Sequence, residues 1–155
     1  MKRMRILKIW IFSLNGQQLF FKEYENFQDN ILSNMLNTGV IHSFINFFNT
    51  YLVKKYCDLI LFDDILFTFD YMHEASLPFI TLLITKINKR IELDVQSKVL
   101  KKVAQRISQE FYDCYGMVMN EMKDNLNYFQ KFEKKCDNLL RSYTKTLDKV
   151  EISGL

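Results

Sequence analysis

Two runs rich in β-formers, residues 6–14 and 17–24, are separated only by Asn15-Gly16, the dipeptide best suited to the positive φ angles of a type I′ turn. A two-residue loop fixes the pairing: Leu14 faces Gln17, Phe12 faces Leu19, Trp10 faces Phe21 and Lys8 faces Glu23, with Ile11 and Phe20 on the opposite face. Both faces of this ribbon are apolar at the centre and only its ends are charged. Such a hairpin belongs to a sheet covered on both sides, because solvent on either side would waste Ile11 and Phe20 or Trp10 and Phe21. The 155 residues include only 4 Gly and 1 Pro, which excludes collagen-like, linker-like and disordered classes. One domain over residues 1–155 is expected, with its core at 6–147 and a frayed end at 148–155.

From residue 30 to 53, Val40, Ile41, Phe44, Ile45, Phe47, Phe48, Tyr51 and Leu52 recur at helical spacing on one broad arc, predicting a helix. Residues 57–62, 65–72 and 77–85 are again β-rich, with Asp63-Asp64 as a turn and Pro78 near the start of the last run, where a missing donor does least harm. Glu92 and Asp94 suit the start of a helix whose apolar face runs through Val99, Leu100, Val103, Ile107, Phe111 and Cys114 until Gly116 stops it. A Met-rich link, 117–122, leads to a last amphipathic helix through Leu126, Phe129, Phe132, Cys136, Leu139, Leu140, Tyr143 and Leu147. The expected fold class is therefore α+β: a five-stranded antiparallel sheet in the order β-β-α-β-β-β-α-α, with one helix on one face and two on the other.

This order, the opening segment 9–24 (IWIFSLNGQQLFFKEY) and the segment 38–48 (TGVIHSFINFF) resemble a longin-like domain of the longin/roadblock superfamily. The likeness extends from about residue 6 to 143. The roadblock branch usually begins with a helix, for which no room is seen before Ile6, and no SNARE heptad region follows. The resemblance implies a stand-alone subunit that dimerises or pairs with another longin or roadblock protein. It also implies binding to a small GTPase or a component of membrane trafficking, without catalysis.

The residues themselves carry little chemical equipment. Glycines at 16, 39, 116 and 154 allow neither GxGxxG nor GxxxxGK[ST]. His73-Glu74 lacks the second histidine of a zinc-protease motif, and His42 is the only other one, so no metal or other cofactor is expected. Cys57, Cys114 and Cys136 are unpatterned and lie on expected apolar faces, as inert thiols of a reducing compartment do. No enzymatic activity or small-molecule substrate is foreseen. Lys2, Arg3 and Arg5 before an apolar stretch imitate a secretory signal, but Lys8 interrupts the run and no small-residue cleavage site follows. No stretch is long and apolar enough to span a bilayer. A cytoplasmic protein, with peripheral contact at a membrane surface, is expected.

Two surfaces stand out. Not one charged side chain occurs from residue 30 to 53, although 25% of the chain is charged. Opposite the aromatic arc lie His42, Ser43, Asn46, Asn49 and Thr50, which reads either as a face covered by a partner or a second copy, or as an Asn-rich bias on a solvated helix. Between residues 86 and 106, seven cations oppose Glu92 and Asp94 alone. Lys98, Lys101, Lys102 and Arg106 share one side of the expected helix, a patch for an acidic partner or anionic lipid, or else an ordinary solvated face. Aromatic residues do not interleave with these bases, so nucleic acid is not expected. A PAS- or GAF-like ligand sensor is the alternative role; Trp10, Phe67, Phe69 and Phe79 oppose it by filling the interior.

Overall fold

A computed structural model describes residues 5–24 and 59–153. They form strands β1 (Arg5–Ser13), β2 (Gln18–Glu23), β3 (Leu59–Phe62), β4 (Ile65–Met72) and β5 (Phe79–Lys86), then helices α1 (Leu93–Tyr115), α2 (Met119–Met122), α3 (Leu126–Phe129) and α4 (Glu133–Ser153). The strands make one sheet in the order β2-β1-β5-β4-β3, antiparallel at every pairing. The five-stranded antiparallel α+β class read from the sequence is the one observed. The expected helix within 30–53 and the start of the strand expected at 57 lie outside the described residues.

The opening hairpin pairs Lys8 with Glu23 and Trp10 with Phe21 as expected, but Phe12 faces Gln18 instead of Leu19. The loop is the cause. The Gly16 amide donates to the Ser13 carbonyl and the Ser13 amide to the Gln17 carbonyl, each at 2.9 Å. The connection therefore holds three residues, Leu14, Asn15 and Gly16. Only Gly16 takes a positive φ, 95°, whereas a type I′ turn would need Asn15 there too. The Ser13 hydroxyl hydrogen-bonds the Asn15 side chain and accepts from the Gln17 amide, an arrangement that stabilises the longer loop. The extra residue appears as a bulge at Leu19, which turns Leu19 and Phe20 to the same side of the sheet. At the second hairpin Asp63 takes φ 55°, a left-handed conformation that aspartate tolerates in turns.

Alternation along the strands sorts the apolar side chains into two clusters. Ile9, Ile11, Phe20, Leu66, Phe79 and Leu83 join side chains of α1 and α4 on the first face. Leu7, Phe12, Ile65, Phe67, Phe69, Ile80, Leu82 and Ile84 form the second cluster, to which no described helix contributes. Phe67, Phe69 and Phe79 are buried as expected, while Trp10 is only half-buried, on the second face. The two described long helices share one face, as the sequence reading placed them.

Helix α1 forms because Leu100, Val103, Ala104, Ile107, Ser108 and Phe111 make one buried stripe at three- and four-residue spacing. Small Ala104 and Ser108 sit against the sheet, where the Ser108 hydroxyl donates to Thr81 Oγ1 at 2.8 Å. Thr68 Oγ1, also buried, has no hydrogen-bond partner. Below the helix start, the buried Gln96 side chain is saturated: it accepts from the Asn88 amide at 2.8 Å and donates to the Asn88 and Ile91 carbonyls at 2.7 Å. Phe111 is the hub of the first core, 5.3 Å from Phe79, 5.6 Å from Phe129 and 5.2 Å from Phe132 between ring centroids. Burial of a side chain of this size contributes about 1.5–3 kcal/mol.

Gly116 ends α1 as expected, but in a right-handed conformation, φ −54°, and not as a left-handed cap. Its role is spatial. A Cβ there would lie 2.6 Å from the Tyr112 carbonyl oxygen and from its ring. The last helix, expected as one piece from Leu126, is instead α3, a tight 3₁₀ turn (Gln130–Phe132) and α4, which brings Phe129 and Phe132 together into the core. Its backbone is helical to Ser153.

Candidate interaction surfaces

The buried stripe of α1 dictates the opposite side of the helix. Lys98, Lys102 and Arg106, four residues apart, are exposed together, with Lys101 half-buried at the margin. The structure thus brings the four sequence-predicted cations onto one ridge. It also gives them neighbours: Lys98 Nζ lies 3.2 Å from Asp94 and Arg106 lies 2.7 Å from Glu110, both as i,i+4 pairs. Lys86, at the end of β5, lies 3.4 Å from Asp64. Such exposed pairs hold side chains loosely and screen readily, so they temper the ridge without neutralising Lys102, Lys89 or Arg90. Leu93, 40% exposed, and Met117, 91% exposed, flank the two ends of α1.

The predicted partner face, His42, Ser43, Asn46, Asn49 and Thr50, lies outside the described residues, as does Cys57. Of the remaining thiols, Cys136 is buried, and its pKa is pushed up to about 12, chiefly by burial. Cys114 differs from the expectation of a buried thiol: it is half-exposed and accepts a hydrogen bond from Lys135 Nζ at 3.1 Å. That bond holds the Lys135 ammonium above its ordinary range. His73 is exposed beside the Tyr71 ring, 5.7 Å between centroids. Among the described residues no three His, Cys, Asp or Glu side chains gather as a metal site would require, and no helix is long and apolar enough to cross a membrane.

A polar seam that sequence reasoning missed ties β2 to the last helix. The Tyr24 hydroxyl donates to Asp137 Oδ1 at 2.6 Å, and Lys22 pairs with Glu133. Burial, followed by the neighbouring Cys136 and Asp137, drives the Tyr24 phenol far above its usual pKa. The bond to Glu133 raises that of Lys22. Gln17 Nε2 donates to the Lys123 carbonyl at 2.6 Å. These partners are separated by more than a hundred residues, and no local spacing rule announces them. The sequence matches no model of a known protein family and no curated protein.

Proposed function

We propose that this chain is a non-catalytic, longin-like interaction module of the cytoplasm. It dimerises or pairs with another longin or roadblock protein and binds or regulates a small GTPase or a trafficking component. The observation that carries this reading is α1 itself. A 23-residue helix, seated on the sheet by one continuous apolar stripe, turns a ridge of Lys98, Lys102 and Arg106 to solvent, and a rigidly backed cationic ridge suits an acidic protein surface. The antiparallel sheet with two long helices on one face agrees with what the longin-like resemblance implies.

The test compares the native chain with a Lys98→Gln, Lys102→Gln, Arg106→Gln variant in affinity capture from the source cell, read by mass spectrometry, with light scattering on the pure protein. Enrichment of a longin or roadblock subunit or a small GTPase by the native chain, reduced in the variant, supports the reading. A monomeric native chain that enriches neither class overturns it.

A further inference from the structure

Cys114 and Lys135 meet across two helices. α1 carries the cysteine just before its last residue, Tyr115, and α4 carries the lysine in its first turn. The two helices pack on each other over the first face of the sheet. Lys135 Nζ reaches the Cys114 sulfur at 3.1 Å, and Glu110, one turn earlier on α1, attracts the same ammonium. Lys131 is engaged elsewhere, over the Tyr128 ring at 5.3 Å from its centroid. Lys135 is exposed and Cys114 half-exposed, so a solute as small as a peroxide reaches the pair. Cys136 follows Lys135 directly, but successive helical side chains leave the axis about 100° apart. It is therefore buried in the first core while Lys135 stays outside.

Peroxide oxidises an accessible thiol to a sulfenic acid, whose electrophilic sulfur is taken by a neighbouring nucleophile. Here the neighbour is an amine held against the sulfur before any oxidant arrives. We propose that Cys114 and Lys135 form a redox cross-linking site, at which peroxide converts the contact between α1 and α4 into a covalent sulfenamide. First, the Cys114 sulfur attacks one oxygen of hydrogen peroxide. The O–O bond breaks, the sulfur is oxidised by two electrons to S–OH, and the peroxide leaves as water. Next, the Lys135 ammonium gives one proton to solvent, and the nitrogen lone pair attacks the sulfur. The S–N bond forms, the S–O bond breaks, and the hydroxyl departs as water with a second proton from the nitrogen. A thiol reductant reverses the bond: it takes the Cys114 sulfur as a mixed disulfide and frees the amine, and a second thiol releases Cys114.

The inference is independent of the role proposed above. The cross-link closes residues 115–134 into a loop that holds α2, α3 and the 3₁₀ turn, with Phe129 and Phe132 anchored in the core. Tying the ends of such a loop removes freedom from the unfolded chain, so the oxidised protein is the more resistant to heat.

The experiment treats the full native chain with dilute hydrogen peroxide, then reads intact mass and maps peptides without reductant. The expected product is lighter by two hydrogens, joins the Cys114 peptide to the Lys135 peptide, and regains its starting mass in dithiothreitol. Its thermal midpoint should lie above that of the reduced chain. Lys135→Arg, whose guanidinium keeps the charge but is a poor nucleophile, should lose the cross-link and accumulate a Cys114 sulfenic acid that dimedone traps. A native product that retains a peroxide oxygen, a disulfide from Cys114 to Cys57 or Cys136, or a cross-link that forms equally well in urea would overturn the proposal.

Discussion

Thr68 is the residue at which the core is least satisfied. Its hydroxyl is buried without a partner, and Val has the same shape without the polar atom. Thr68→Val should raise stability by about 1 kcal/mol, measured by urea unfolding. Gly116→Ala should have the opposite effect, since its Cβ would press on the Tyr112 carbonyl, and backbone cannot swing aside as a side chain can. A cost of about 1–3 kcal/mol is expected for overpacking of this kind. Cys136 and Tyr24 give a pH signature. Both pKa values are raised in the folded chain, so the folded state favours the protonated forms of both groups. The stabilisation is complete below the unfolded pKa of each group and is lost as pH climbs toward the folded values. Unfolding midpoints should therefore fall between about pH 9 and 12, and Cys136→Ala should flatten part of that slope. At neutral pH a thiol reagent should modify Cys114 before Cys136.

At the scale of elements, β4 was legible to the residue as a continuous β-rich run buried on both faces and bounded by a turn, and α1 nearly so because it has one unambiguous buried stripe. The first hairpin was legible in its outer half only. Asn15-Gly16 named a turn, but the choice between a two- and a three-residue loop depended on Ser13, whose hydroxyl meets both Asn15 and the Gln17 amide. Gly16, at φ 95°, is the point of highest sensitivity in that loop: Gly16→Ala should cost about 1–2 kcal/mol, with Gly16→Asn milder, checked by thermal melts. The break between α3 and α4 was not legible. Leu126, Phe129, Phe132 and Cys136 fit one helical stripe in sequence, and the 3₁₀ turn at Gln130–Phe132 answers to the packing of Phe132 on Phe20 and Phe111. The cationic ridge of the candidate site was legible as a face; its pairing with Glu110 and Asp64 depended on neighbours beyond the charge count of 86–106.

For the whole molecule, both sheet faces had to be covered because the first hairpin is apolar on each side, and the two clusters follow from that one fact. The face at His42, Ser43, Asn46, Asn49 and Thr50, expected from the sequence to meet a partner, carries a prediction at this scale. Asn46→Lys with Asn49→Lys should lower the mass of the assembly in light scattering; an unchanged mass would reject an interface there. The polar seam has a different consequence. Gln17, Lys22 and Tyr24 fasten β2 to residues 123–137, and Gln130 Nε2 takes the Phe21 carbonyl at 3.5 Å. Runaway polymerisation through strand addition needs two open borders per subunit. With Lys22 and Tyr24 tied to the last helix and the Phe21 carbonyl already taken, a strand added at the β2 border would have to displace these contacts, so lateral growth there is opposed by the chain's own C-terminal half.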